Sequence, residues 1–515
     1  MVVLVTNLPL SDDPECAVAE RLAVARERIR KVELVRKSLD ARARPPRWQG
    51  NFRVEVEGDV QLRPGVRPWT SRDEAKRGGV PPARRRDWNT RPIVVGAGPA
   101  GLFAALRLAE AGAPVVLLER GQPVEGRVPV VNGFWRGQPL DPDNNILFGE
   151  GGAGTFSDGK IYTRRRDGEL GYVFRVLVEC GADPAILDEA WAHLGTDKVR
   201  AILPALRARL RDTGAEIRFG AVAEAFLVEG GRCVGVRLRD GEVLRGGPVI
   251  VAAGHSARDT MRAMLDAGAV AEQRPIAIGA RIEHPQAVVD AARYPSGRGD
   301  LPPASYRLAA PGERDAYTFC MCPGGMVVPA MNDPGRVVVN GMSFAARRAF
   351  WANSALIVQV RPADYGAADP MAGVRFQDAI EQAAFAATGS YAAPAQRVPD
   401  FLAGHPSEDL PRTSYPMGVV PAGLGSLLPR PVVEGMRRAI LAFEKEIPGF
   451  AGPEGVLIAP ETRTTAPLRF LRGADLHSTS LPGLLPVGEG AGWAGGIVSA
   501  ALDGFKAAEA VIAGP

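Results

Sequence analysis

Apolar and polar positions recur along this chain with two different periods, and the changes of period divide it. Val2 to Thr6 is a strand-like apolar run, Cys16 to Arg30 carries apolar residues at helical spacing, and Val32–Val35 and Phe52–Val56 read as further strands. Residues 1–61 are therefore expected to form a small N-terminal αβ domain. Residues 62–90 have no sustained period. They are rich in Pro, Gly and Arg, including Arg84-Arg85-Arg86, and read as a linker. A new pattern begins at Arg91: a short apolar strand to Val95, a glycine-rich turn, a helical run Leu102–Ala111 stopped by Gly112, and a second strand Val115–Leu118.

Strand, turn, helix and strand in that order make the parallel unit of a doubly wound sheet. Strand-like runs return at Glu216–Phe219, Val234–Leu238 and Val249–Ala252. The middle of the chain mixes strand-like runs (Arg336–Asn340, Ala355–Val360) with a helix at Val374–Thr388, and the last 50 or so residues return to the glycine-rich style of residues 91–120. The expected fold class is α/β. A Rossmann-like nucleotide-binding domain is split into 91–280 and 456–515, an α+β substrate domain over 281–455 is inserted in it, and the small αβ domain precedes it.

With 515 residues, 46% hydrophobic and 23% charged, the chain has ordinary soluble cores. A net charge of +4 is too small to argue for nucleic acid. Five cysteines are few and odd in number, which fits free thiols in a reducing compartment. The first basic residue is Arg21, so the start does not read as a secretory signal, and no run approaches the ~20 apolar residues that span a bilayer. The expected location is cytoplasmic, away from membranes. The five histidines show no metal-ligand spacing, so no metal site is expected.

The chemistry starts at Gly96-Ala-Gly98-Pro99-Ala100-Gly101. Gly96 permits the tight turn, Gly98 lets backbone approach a pyrophosphate, and Gly101 lets the helix pack on the strand. The helix start supplies unpaired N–H groups and partial positive charge. Glu119 follows 18 residues after Gly101, placed for a ribose diol. Strand, helix and acid together point to a dinucleotide.

Which dinucleotide is decided near the C-terminus. Leu484-Leu-Pro-Val-Gly488-Glu489-Gly490 is a buried strand ending in Gly-acid, followed by Gly492, Gly495, Gly496 and a helix from Ile497. An acid there meets a ribityl chain or pyrophosphate, and the next helix start stabilises the anion of a reduced flavin. FAD, held non-covalently, is favoured over NAD. Val249–Gly254 reads as the crossing back to the FAD sheet, and the loop Gly149–Lys160, with Gly152, as backbone lying against the flat ring.

Lys37–Arg42, Val94–Phe103, Gly149–Lys160, Gly279–Pro285, Phe319–Gly325, Asn340–Ser343, Ser414–Pro421, Pro460–Pro467 and Pro486–Gly504 carry a resemblance along nearly the whole chain. The sequence resembles the bacterial family of uncharacterised FAD-dependent dehydrogenases, distantly similar to glutathione-reductase-type flavoproteins. The resemblance implies that Gly96, Gly98, Gly101 and Glu119 hold the ADP half, with phosphate contacts from Arg120 and Arg127 and backbone contacts from Val222 beside the adenine. It implies that Gly488, Glu489, Gly496 and Ile497 hold the ribityl and isoalloxazine end. Glu489 stands where many of the wider superfamily have Asp.

For the substrate side the candidates are Lys160, Tyr415, Glu461 and Arg463, with His284 as an acid–base residue. Cys320 and Cys322, two apart on a strand, are expected on one face. They read either as a redox dithiol or, in preference, as structural thiols. The expected activity is that of a dehydrogenase or oxidase, with hydride passing between a small organic substrate and flavin N5. The alternatives are a flavin monooxygenase acting on an aromatic or secondary metabolite, with NAD(P)H as a transient reductant without its own domain, and an RNA-binding flavoprotein using Arg63–Arg86 and the small N-terminal domain.

Overall fold

The computed structural model describes residues 1–40, 46–71, 73–74, 82–163, 165 and 167–514. The end of the first family-like segment (Ala41, Arg42) and much of the expected linker (Arg72 and residues 75–81) lie outside the described residues. The chain divides into two units: residues 1–82 with 160–193, and residues 83–159 with 194–515.

In the first unit the strands Ile29–Asp40, Arg47–Val56, Val2–Pro9 and Val66–Pro68 form one antiparallel sheet in that order. The expected helix ends early, at Leu22, because Ala23 takes a left-handed conformation (φ 54°) and closes it. Val66–Pro68, from the segment read as linker, pairs with Val2–Pro9 at the sheet edge, where a proline costs no ladder bond. Val3, Val5, Phe52, Val54 and Val56 share the core. Residues 160–193 join this unit where Lys37 bridges Glu189, its N–H donating to Asp188 (2.6 Å) and its carbonyl accepting from Ala190 (2.8 Å).

The second unit holds the predicted doubly wound sheet. Its five strands run in the order Leu484–Pro486, Val249–Val251, Ile93–Val95, Val116–Glu119, Glu216–Phe219, all parallel. The first four are short and buried throughout, as strands covered by helices must be, and the edge strand Glu216–Phe219 is partly exposed. The helix Pro99–Glu110 packs against the C-terminal helix Ile497–Ala513, and Gly504 permits their contact: a Cβ there would lie 2.6 Å from the carbonyl carbon of Ala100. A three-stranded antiparallel sheet (Ala223–Glu229, Arg232–Leu238, Val243–Arg245) follows the fifth strand.

The inserted part is an eight-stranded sheet whose centre is Ile276–Pro285, flanked by Trp351–Val360 and Val456–Glu461. Nine of the ten residues of this central strand are buried, Arg281, Glu283 and His284 among them. Polar groups in such a strand need partners, and their partners define what this sheet can do.

Candidate functional site: a dinucleotide cradle

Five glycine-bearing segments converge at the C-terminal ends of the parallel strands. Gly96 has φ 100°, and a Cβ there would lie 2.5 Å from the carbonyl oxygen of Ala252. The crossing loop 252–254 therefore backs the turn. Gly151 donates to the carbonyl of Ala97 (2.8 Å), which draws the loop Gly149–Phe156 over that turn, and Gly98 and Gly152 face each other there. Gly154 lies against Ile497, a Cβ there being 3.2 Å from its side chain, and Gly490 lies against Gly254.

The cradle fits a dinucleotide on its own geometry. At Gly254, Gly495 and Gly496 an added Cβ would meet no atom within 4 Å, so backbone is exposed to open space there. The helices at Pro99 and Ile497 start without side-chain caps, leaving their first N–H groups for an anion. Glu489 is partly exposed and has no side-chain hydrogen bond among the described contacts, and desolvation by the surrounding protein pushes its carboxyl up to about 7. A partly desolvated acid left without a donor is what a ribityl hydroxyl would satisfy.

Gly96, Gly98, Pro99, Ala100, Gly101, Gly152, Gly254, Gly488, Glu489, Gly496 and Ile497 are thus brought together as the sequence predicts. Glu119 lies at the end of its strand, and its carboxylate accepts from the N–H of Ala97 (2.7 Å), Gly121 (2.9 Å) and Gly149 (2.9 Å). A carboxylate has about four lone-pair sites, so room for a ribose hydroxyl is small. Val222 is buried, and its carbonyl accepts from Arg239 (2.9 Å).

The two arginines expected on phosphate are placed otherwise. Arg127 is fully buried and donates to the carbonyls of Asn145, Ile146, Gly149 and Glu150. Burial without a contacting carboxylate brings its guanidinium down to about 9. It shapes the glycine loop from beneath. Arg120 grips both oxygens of Asp259 (2.9 Å each) and lies over the Phe148 ring.

Two families match. The model for "FAD-dependent protein, C-terminal domain-like" covers residues 275–464, and that for "FAD binding domain" covers 91–133. An uncharacterised protein of Clostridium beijerinckii is 37% identical over 528 residues, spanning 99% of each chain. The chain belongs to the FAD-dependent oxidoreductases. Its cofactor is FAD. Among solved structures, this oxidoreductase is similar to CtdE in complex with FAD (12% identity, 82% and 83% of the two chains, TM-score 0.34). It is also similar to a geranylgeranyl bacteriochlorophyll reductase-like protein of Thermoplasma acidophilum (14%, 81% and 77%, TM-score 0.35). A third is a variant of E. coli quinol fumarate reductase (12%, 83% and 71%, TM-score 0.36). Among the described residues no helix is long and apolar enough to cross a membrane.

The residues predicted for the substrate side of the oxidoreductase do not assemble into one catalytic group. Glu461 forms a side-by-side pair with Arg281 at 2.6 and 3.1 Å, both almost wholly buried. Arg463 forms a second such pair with Glu381 at 2.9 and 2.6 Å and also holds Asn332. Arg258 reaches the same Glu381 (3.0 Å) and Asp378, and Arg336 bridges Asp333 and Asp378. Burial opposes ionisation of Glu381, but Arg463 and then Arg258 hold its carboxyl down at about 2. Arg463 is therefore a structural ion-pair residue, contrary to its expected role.

Burial takes His284 down to about 4. One ring nitrogen meets the carbonyl of Phe450 (2.9 Å), so the ring is a neutral donor and not an acid–base group. Tyr415 is buried, its hydroxyl on the carbonyl of Tyr391 (3.1 Å), and burial raises its phenol far above the usual range. Lys160 belongs to the first unit, where it bridges His193.

Three groups near these sites were not singled out from the sequence. His255 directly follows Gly254 and pairs with Ser256 (2.9 Å). Burial, then Arg463 and Arg258, bring it down to about 4, so it is neutral at physiological pH. Asp158 holds Ser343 and Arg347 (2.9 Å) just beyond the glycine loop. Glu283 is bound by the Ser414 N–H (2.9 Å) and hydroxyl, and burial raises it to about 7. For Asp158 and Glu283 only the fold brings the partners together.

Glu489 gives a pH prediction for the FAD-free protein. Its folded carboxyl titrates near 7 against an ordinary 4.5, so its contribution to stability is full below about 4.5 and is lost as pH rises through 7. Glu489→Gln removes that loss. Denaturation midpoints of variant and wild type are expected to be close at pH 5, with the variant higher at pH 8. A difference that does not grow with pH would mean Glu489 is already ionised in the folded protein.

Proposed function

We propose that this FAD-dependent oxidoreductase acts as a dehydrogenase or oxidase, moving a hydride between a small organic substrate and flavin N5. When bound, FAD supplies the two-electron chemistry. The chain's own residues bind and orient it: the turn Gly96–Gly101 and the helix start at Pro99 take the pyrophosphate, Glu119 offers the ribose the one acceptor site its three backbone bonds leave, and Glu489 meets the ribityl chain. The observation that carries the reading is the uncapped helix start at Gly496–Ile497, lying against Gly154 of the loop that covers the cradle. Its N–H groups and positive end favour the negative charge that a two-electron donor leaves on the ring.

Anaerobic addition of NADH or NADPH to the FAD-loaded protein tests this. The flavin absorbance band is expected to stay oxidised, because electrons enter from the organic substrate. Prompt bleaching by either nucleotide would overturn the reading in favour of a monooxygenase or nicotinamide-dependent reductase.

A further inference from the structure

Arg274 and Arg469 are far apart in the chain and meet at a two-stranded antiparallel sheet, Ala271–Gln273 against Leu468–Phe470. Side chains alternate along a strand, and Glu272 stands opposite Arg469, so Glu272, Arg274 and Arg469 share one face. The pairing continues one step further, where the Arg274 N–H donates to the Pro467 carbonyl (2.8 Å). Leu468 and Phe470 point the other way and are wholly buried, which fixes the face that the two guanidiniums occupy.

Both arginines donate to one acceptor, the carbonyl oxygen of Gly492, Arg469 through its Nε at 3.3 Å. Two like charges at one oxygen repel each other, and the carboxylate beside them is Glu272, half-exposed and 3.8 Å from Arg469. Arg274 pairs with no carboxylate among the described contacts, and burial, then Arg469, bring its guanidinium below its ordinary value. Two positive charges thus face one negative, and most of the N–H donors on both guanidiniums have no acceptor among the described contacts. The Arg469 side chain is 31% exposed, so a ligand can reach it. It lies over the Trp493 ring (4.7 Å), whose N–H is fixed on the Phe470 carbonyl (2.9 Å). Arg472, over the same ring, differs because Asp503 pairs with it at 2.6 and 2.9 Å and neutralises it.

Gly492 lies between Glu489 and the helix start at Gly496–Ile497, three residues before Gly495, whose backbone faces open space. Three residues of chain span at most about 11 Å, so the pair stands close to the end of the cradle assigned above to the ring. We propose that Arg274 and Arg469 form an anion site at the flavin end and that it takes the carboxylate of the substrate, which deepens the dehydrogenase or oxidase reading and rests on it. A planar guanidinium matches a carboxylate with two parallel N–H bonds. The excess of one positive charge matches a monoanion, whereas a phosphate dianion is left partly unneutralised and faces Glu272. The substrate is thus an organic acid, held by its carboxylate while the carbon that gains or loses hydride reaches the ring.

The test is titration of the FAD-loaded full chain with propionate, propionamide and inorganic phosphate, read as a change in the flavin absorbance band and as a rise in the thermal unfolding midpoint. Propionate is expected to saturate both signals, propionamide to give neither, and phosphate to bind more weakly than propionate. Arg274→Gln and Arg469→Gln are each expected to weaken propionate about tenfold, the loss of one charge-assisted contact. Glu272→Gln keeps both arginines and is expected to tighten propionate about threefold, a sign that a merely loosened fold does not give. No response of the wild type to propionate, propionamide binding as tightly, phosphate binding more tightly, a thermal shift without a flavin response, or both arginine variants binding like wild type would overturn the proposal. Failure of the underlying reading shows separately, as bleaching of the same sample by NADH while the selectivity for propionate is intact.

Discussion

Purified Gly101→Ala protein is expected to come without its flavin band, whereas Gly425→Ala keeps it. A Cβ at Gly101 would overlap the carbonyl oxygen of Gly96 and lie 3.0 Å from its carbonyl carbon and 3.4 Å from Val94. The turn cannot give way, because Gly96 is itself backed by Ala252 with no room for even one methyl group. The helix Pro99–Glu110 must therefore shift away from its strand, taking its first-turn N–H groups with it. An anion site built from backbone loses its geometry when the backbone moves, and a shift costing about 1.4 kcal/mol already weakens FAD tenfold. Gly425 has open space around it, so the same methyl there tests only the cost of substitution. Titration of apoprotein with FAD, followed by fluorescence, measures both. Wild-type affinity in Gly101→Ala would mean that this turn is not where the pyrophosphate sits.

The second large effect concerns Glu381. Its two oxygens satisfy Arg463, Arg258 and the hydroxyl of Thr462 (2.7 Å), all inside the protein. Glu381→Leu removes the anion and leaves the buried Arg463 without a carboxylate at hydrogen-bond distance. Breaking a buried pair from one side costs about 3–5 kcal/mol, because the remaining charge has no water to return to. The variant is expected to unfold at clearly lower denaturant. Adding Arg463→Leu is expected to recover a good part of the loss, since an apolar pair of similar volume carries no stranded charge. If the double variant is as unstable as the sum of the two single ones, the pair is not coupled.

Helix positions read differently before and after folding, and Glu381 shows why. It lies in a run that the sequence shows to be helical, Ala372–Thr388 in the structure, and nothing at i±3 or i±4 marks it as half of an ion pair. Its partners are Arg258, 123 residues away, and Arg463, 82 away. The same holds for Arg281 and Glu461, 180 residues apart. Tyr415 and Arg463 read as chemistry because polar residues in loop-like motifs look available, and His284 because a histidine titrates near neutrality. Their burial, visible only in the fold, commits them to structure.

What the sequence by itself determined is local and covalent in scale. A G-x-G-x-x-G with an apolar strand before it and a helix after it fixes a turn whose conformations and close approaches only glycine allows. The Gly488–Glu489 strand end and the glycines before Ile497 do the same at the other side, so the parallel sheet, the cradle and FAD were legible from spacing. Tertiary structure decided where the charged side chains go. Arg127 is turned under the glycine loop instead of toward phosphate, Cys320 and Cys322, expected on one face, are split by a bulge in the strand Ala316–Pro329 into an exposed and a buried thiol, and the arginines at 258, 281 and 463 are neutralised in the interior. The reason is physical: backbone geometry at glycine depends on near neighbours in the chain, whereas a buried charge depends on partners that chain distance does not reveal.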